Sequence, residues 1–299
     1  TDLAVASITE NSRLRSILLA LAMVLSMPAV ADKSADEKAG NAKKAIATML
    51  VSGHVVIGTD GQVEEHDLDA RAKLTPEMRA FVGDVISKWR FEPVKANGEV
   101  ARARVAMSLR LAANKIDDDA YSFRIASTYF GNREEEPETN SVRVAKKYLP
   151  KYPSELVGWR ASGIVYLLLQ VDPDGRVMNI GAEQVNLRLT GTDAQMELIR
   201  ETFTKSAIRA VRKWKFHPPT TGPDAKGSSW LVWQPVDFGM FGEASAKSDD
   251  WETYIPGPRN LNMPWAGKSY RSAGSPDALP DGGLYALQQG ARLLTPLSP

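Results

Sequence analysis

The chain has 299 residues, 43% of them apolar, and 37 Lys and Arg against 36 Asp and Glu give a formal net charge of +1. That is enough apolar material for about two ordinary domains, with no overall field to draw in nucleic acid or acidic lipid, so an electrostatic partner must be met by a local patch. Cysteine is absent, which excludes disulfides, thiolate nucleophiles, sulfur metal sites and the acylated cysteine of a lipoprotein.

Residues 1–31 read as a leader. Arg13 and Arg15 precede an apolar run from Ile17 to Met27, and Ala29-Val30-Ala31 is a small-x-small cleavage pattern ahead of the charged stretch that begins at Asp32. The run is short for a bilayer span, so export to the periplasm with cleavage before Asp32 is expected; the alternative is an uncleaved inner-membrane anchor facing the periplasm. Residues 32–45 are charged, Ala-rich and without strand pattern, and read as a linker.

The first structured unit spans 46–113. From Thr48 to Ile57 apolar residues recur at every second position, Thr59-Asp60-Gly61-Gln62 supplies a turn, and Val63 to Leu68 resumes as a strand, which predicts a hairpin. Thr75 and Pro76 start a helix that carries Met78, Phe81, Val82, Val85, Ile86 and Trp89 on one face. Arg102 to Leu111 alternates again, giving the order β-β-α-β. Residues 114–145, with Asp117 to Asp119 and the acidic cluster at Glu134 to Glu136, read as a second linker with no assigned structure.

The second unit, 146–242, repeats the first. "TDGQV" (Thr59 to Val63) and "KWRFEP" (Lys88 to Pro93) return as "PDGRV" (Pro173 to Val177) and "KWKFHP" (Lys213 to Pro218). With Gly61 laid on Gly175, Met49, Val51, Gly53, Val55 and Ile57 fall on Gly163, Val165, Leu167, Leu169 and Val171. Self-similarity on this scale predicts a duplicated module. The Gly175-to-Trp214 spacing of 39 exceeds the Gly61-to-Trp89 spacing of 28, so the second helix is longer. Its stripe is Met196, Ile199, Phe203, Ala207, Val211 and Trp214, while Lys205, Arg209, Arg212, Lys213 and Lys215 form either a solvated face or a contact for phosphate or an acidic partner. Trp89 and Trp214 close these stripes and read as core. Trp230 to Phe238 is the last strand, and Pro235, which cannot donate to a ladder, suggests an edge. Residues 243–299 are rich in Pro and Gly and read as a mostly unstructured tail, whose Trp251, Tyr254, Trp265, Tyr270 and Tyr285 leave room for part of it to wrap back.

"KYP" (Lys151 to Pro153), "SGIVYLLLQVDPDGRVMNI" (Ser162 to Ile180), "AIRAVRKWKFHP" (Ala207 to Pro218) and "QPVDF" (Gln234 to Phe238) resemble, in order and spacing, the C-terminal domain of TonB-family energy transducers. The first unit resembles it through "TDGQV" and "KWRFEP". The resemblance implies an α+β fold of two tandem small β-β-α-β domains, each an antiparallel sheet covered by a helix, followed by the poorly structured tail. It implies a non-enzymatic protein that binds an extended segment of an outer-membrane or envelope protein by strand addition, linked to TonB-dependent transport. The binding edge would be Trp230, Val232, Gln234 and Val236, with Tyr152 and Pro153 at its entrance. This chain departs from the family in its short leader without His, in lacking a Pro-rich spacer, and in having Leu149-Pro150 where the family has Gln-Pro. The alternative is an envelope scaffold that self-associates as a homodimer through its domains.

No cofactor, metal or nucleic-acid partner is expected. Asp172, Asp174 and Gly175 open like a calcium loop, but the remaining ligands are missing and an Asx-type hairpin turn accounts for all three. His54 and His66, on the two arms of the first hairpin, could approach one another, yet two His without a third ligand make a weak zinc site, and the remaining histidine is His217. No nucleophile elbow, Ser-His-acid constellation or Gly-rich phosphate loop is visible.

Overall fold

The computed structural model describes residues 4–7, 33–69, 73–96, 98–115, 120–133, 137–240, 250–267, 270, 274–287 and 290–297. The apolar run from Ile17 to Met27 and the cleavage pattern at Ala29-Val30-Ala31 lie outside the described residues. Among the described residues no helix is long and apolar enough to cross a membrane.

The repeated turns organise both halves in one way. Gly61 has φ 80° and Gly175 φ 72°. A Cβ on either would lie 2.2 Å from the Phe91 carbonyl oxygen or 1.9 Å from that of Phe216. Glycine alone suits both the left-handed backbone and the close approach. In each case the Phe amide donates to the glycine carbonyl, at 2.8 Å for Phe91 and 2.9 Å for Phe216. The hairpin tip is thus fastened to the chain leaving the helix, which is why "DG" and "KW-F-P" recur together. Trp89 and Trp214 are buried beside these joints, with ring centroids 6.3 and 6.2 Å from Phe91 and Phe216.

The first sheet contains β1 (Ala4–Ser7), β2 (Ile46–Ile57), β3 (Val63–Leu68), β6 (Ala103–Lys115), β7 (Ala120–Arg133) and β13 (Trp251–Tyr254), in the order β1-β7-β6-β2-β13 with β3 also on β2. Between β3 and β6 come α2 (Pro76–Ser87) and a minor hairpin of β4 (Lys95–Ala96) and β5 (Glu99–Val100); α1 (Lys33–Ala42) precedes β2. The second sheet contains β9 (Gly163–Val171), β10 (Val177–Leu187), β12 (Trp230–Phe238) and β14 (Tyr285–Ala286), in the order β10-β9-β12-β14. Its helix is α3 (Asp193–Val211), and β8 (Arg143–Lys146) pairs with β11 (Lys215–His217) beside it. The class is α+β with antiparallel sheets, and the strand order β3-β2-β6 in one half matches β10-β9-β12 in the other.

Each helix covers one face of its sheet. Thr75 accepts from the Met78 amide at 3.3 Å, and α2 buries Met78, Val82 and Ile86, the last two against Met49, Val51, Val55, Leu109 and Leu111. Thr192 and Gln195 form a reciprocal capping box, and α3 buries Met196, Ile199, Phe203, Ala207 and Val211 against Val165, Leu167, Leu169 and Val232.

Four segments differ from the sequence reading. Residues 4–7, inside the expected leader, pair as β1 with β7 of the first sheet. Residues 33–42 form α1 rather than a linker: buried Asn41 donates to the Gly191 carbonyl at 3.0 Å and to Asp193 at 2.8 Å, fixing α1 to the start of α3. Residues 120–133 form β7, which contributes Ile125 and Phe130 to the first core. A register shift opposite Arg110 and Leu111 breaks its alternation, which hid the strand. The tail is not mostly unstructured: it holds β13 and β14 and packs on both sheets.

Candidate functional site: the outer edge of the second sheet

β12 pairs with β9 along all nine of its residues. On its other side β14 pairs with only two of them, Val232 opposite Ala286 and Trp233 opposite Tyr285, and the Leu287 amide adds a bond to the Leu231 carbonyl at 3.1 Å. Since the Leu231 carbonyl points outward, antiparallel alternation directs the main-chain groups of Trp233, Pro235 and Asp237 outward as well. Pro235 therefore stands where no ladder amide is required, and the Gln234 side chain donates to its carbonyl at 2.7 Å. Among the described residues, Gln234 to Phe238 carry no ladder partner on this side.

The side chains of the sequence-derived candidates point away from this edge. Trp230, Val232 and Val236 belong to the core under α3, and Gln234, directly opposite Leu167, shares that face; all four are at most 6% exposed. Only their backbone can contribute to recognition. The Tyr152 hydroxyl donates to the Ala161 carbonyl at 2.7 Å and to that of Leu156 at 3.3 Å, pinning the short helical turn Ser154–Trp159 that Pro153 precedes. Its ring lies 5.9 Å from Phe203, which stacks on Phe238 at 4.5 Å. Tyr152 and Pro153 thus shape the approach to the far end of β12 from the helix side.

The tail determines what the helix-free faces meet. On the first sheet this face carries Leu50, Ser52 and His54 of β2 opposite Arg110, Ser108 and Ala106 of β6. On the second it carries Tyr166 and Leu168 of β9 opposite Pro235 and Trp233 of β12. β13 adds to β2 at residues 46–49, and at the next position Ile255 bonds to Leu187 of β10 in both directions, at 2.8 and 3.1 Å. Met263, Ala266, Tyr270 and Leu279 then bury Leu168, Leu231 and Trp233. Tyr129 of β7 joins the two faces, 6.3 Å from Trp233 and 5.3 Å from Tyr285. Finally the chain returns to the first half, where Leu294 donates to the Arg90 carbonyl at 2.7 Å.

A buried ionic cluster holds this junction. Arg110 reaches Glu252 at 2.7 Å and the Asp277 carbonyl at 2.9 Å, and Arg188 reaches Asp237 at 2.7 Å and Glu252 at 3.3 Å. Asp277 accepts from Tyr254 at 2.6 Å and Asn186 at 2.7 Å. Burial alone would lower the Arg110 pKa, but the charges of Asp277, Tyr254, Tyr166 and Glu252 together hold it above its ordinary value. Burial, then Asp277, raises the Tyr254 phenol well above its usual range. Nearby, fully buried Glu183 accepts from the Trp233 indole at 2.8 Å and pairs with Arg259.

Two clefts flank the junction. One, about 480 Å³, lies between Thr128, Phe130 and Trp233 and the returning tail at Leu293 and Leu297; the other, about 580 Å³, is lined by Ser52, His54, Asp67, Ser108, Tyr129 and Tyr285. Register separates the two hairpin histidines. His54 is opposite Asp67 and His66 opposite Val55, so they occupy opposite faces and cannot share a metal. Among the described residues no group of three His, Asp or Glu side chains could hold a metal ion. Ser52, Ser108, His54 and Asp67 do gather in the larger cleft, which the sequence did not reveal. His54 is 3.7 Å from Asp67, and the buried Ser108 hydroxyl has no hydrogen-bond partner among the described residues. No family model matches the chain, and a search of curated proteins finds no match.

Proposed function

We propose that this is a non-enzymatic periplasmic protein built on two TonB-C-like units, 46–113 and 146–242, which takes up an extended segment of an outer-membrane or envelope protein by strand addition at the outer edge of β12. One observation carries the reading: that edge already holds a short antiparallel strand supplied by the chain's own C-terminal segment. An edge that accepts two residues in cis, and carries no ladder partner beyond them among the described residues, offers the main-chain groups that strand addition needs. The shared contacts of Gly61 with Phe91 and Gly175 with Phe216, and the matching strand order, support a duplicated module.

The resident strand sets the mode of uptake. Of the outward positions past β14, Pro235 has no amide, which leaves Asp237 as the single outward donor there. An incoming segment gains a longer ladder by displacing β14 and pairing from Leu231 onward. Backbone NMR titration of the full chain with peptides from outer-membrane receptors tests this. Amide shifts at Leu231, Trp233 and Asp237, with coincident changes at Tyr285 to Leu287, are the expected outcome, and Leu287→Pro, which removes the donor to Leu231, should tighten binding. Absence of shifts along Trp230 to Phe238 in both proteins would overturn the proposal, and concentration-dependent dimers in the same samples would favour a self-associating scaffold.

A further inference from the structure

A chain with a net charge of +1 carries one strongly basic surface. Residues 143–160 contain five cations (Arg143, Lys146, Lys147, Lys151, Arg160) and one acid, Glu155, and residues 205–215 add five cations and no acid. The fold joins these stretches. β8 pairs with β11 so that Lys146 lies opposite Lys215 and Arg143 opposite His217. The Trp214 indole donates to the Tyr148 carbonyl at 2.8 Å, and the Ser206 hydroxyl of α3 donates to the Lys151 carbonyl. Among the described residues Lys205 pairs with Glu201, while no ion pair neutralises Lys146, Lys147, Lys151, Arg209, Arg212, Lys213 or Lys215. Cations in the last turn of a helix favour its dipole, which accounts for Arg209 and its neighbours. It does not account for Lys151, nor for the charges of Lys146 and Lys147, which lie 5.2 and 5.3 Å over the Tyr148 and Trp214 rings without being neutralised, nor for a strand pair with like charges opposite each other, which costs stability.

The same surface is studded with apolar side chains. Five of the nine large hydrophobic residues left exposed among the described residues fall between 144 and 159: Val144 at 38%, Tyr148 at 40%, Leu149 at 79%, Val157 at 46% and Trp159 at 44%. They stand on a short strand, a loop and one helical turn, and neither cleft described above includes them. An acidic peptide would need pockets for its side chains. A bilayer interface needs none: it accepts protruding Leu, Trp and Tyr while its anionic headgroups meet the surrounding Lys and Arg.

We propose that this surface, from Val144 to Trp159 together with the C-terminal half of α3, docks the protein on an anionic lipid bilayer. The reading does not rest on peptide uptake at β12, although Tyr152 and Pro153, which shape the approach to the far end of that strand, lie within the same stretch. Co-sedimentation of the full chain with vesicles tests it. Vesicles of phosphatidylglycerol and phosphatidylcholine in equal parts should bind the protein, vesicles of phosphatidylcholine alone should not, and binding should fall steeply in about 1 M salt, where the screening length is roughly 3 Å. Each cation removed should weaken binding roughly fivefold, so Lys146→Gln, Lys147→Gln and Lys213→Gln combined should lose about a hundredfold. Leu149→Ser with Trp159→Ser should lose about tenfold or more, and Leu149→Ser alone, at a residue 79% exposed, should weaken binding while leaving the thermal midpoint nearly unchanged. Equal binding to neutral vesicles, or none to anionic ones, overturns the proposal. So does binding to polyglutamate or duplex DNA as tight as to vesicles and indifferent to the Leu149 and Trp159 changes, an outcome that would assign the surface to an acidic macromolecule.

Discussion

Replacing Arg110 with alanine is expected to destabilise the protein by about 3 kcal/mol, at the low end of the roughly 3–5 kcal/mol for breaking a buried ion pair. Its side chain is 3% exposed, and removal strips a charge partner at 2.7 Å from Glu252 and a donor at 2.9 Å from the Asp277 carbonyl. The loss is limited because Glu252 retains Arg188 at 3.3 Å and Asp277 retains Tyr254 at 2.6 Å and Asn186 at 2.7 Å. Urea unfolding followed by tryptophan fluorescence at neutral pH measures this. An Arg110→Ala protein with an unchanged midpoint would refute the reasoning, since it would mean that the guanidinium is solvated and the tail is not docked between the sheets.

Further outcomes follow from the same packing. Trp89→Ala and Trp214→Ala should each cost about 3–5 kcal/mol by calorimetry, and because the tail packs on both sheets each should lower one shared transition. Gly175→Ala should cost about 1–3 kcal/mol, since alanine must adopt φ 72° with its Cβ against the Phe216 carbonyl oxygen; thermal unfolding reads this directly. Asp281, close beside protein groups though exposed at the surface, has its pKa pushed up to about 6, first by burial and then by Asp237. A raised carboxyl pKa favours the fold below the unfolded value and loses that advantage as pH rises through about 6, so Asp281→Asn should stabilise at neutral pH and make no difference in acid. Solvent screening keeps the effect small, and a pH series of thermal midpoints on both proteins would show its sign.

The two matching hairpin-to-helix joints were legible because their constraints are local. A glycine at positive φ and the phenylalanine that closes on it stand at a fixed place relative to a helix stripe, so "DG" and "KW-F-P" carry most of the geometry. Parity was harder to see. His54 and His66 sit on facing strands, but a register that sets His54 against Asp67 sends them to opposite faces. The role of the tail was partly written in β9, whose Ile164 to Leu169 is apolar on both faces, the pattern of a strand buried on both sides. That pattern announces a second covering layer without naming it. The layer comes from Met263, Tyr270 and Leu279, scattered among Pro and Gly without period, because a segment held by side-chain packing and isolated bridges needs no alternation. α1 escaped notice because it is polar on nearly every side and is held by Asn41 rather than by an apolar stripe. The candidate edge was legible through Pro235, while its resident strand, two residues some fifty positions downstream, left no local signal.

Hydrogen–deuterium exchange of the full chain, read by mass spectrometry with and without a bound receptor peptide, tests most directly whether β14 is a resident strand that gives way to a partner. Displacement predicts that segments covering Tyr285 to Leu287 lose protection when peptide binds, while those covering Trp230 to Phe238 keep or gain it. Unchanged protection at Tyr285 to Leu287 at saturating peptide, or loss of protection along β12 itself, would contradict it.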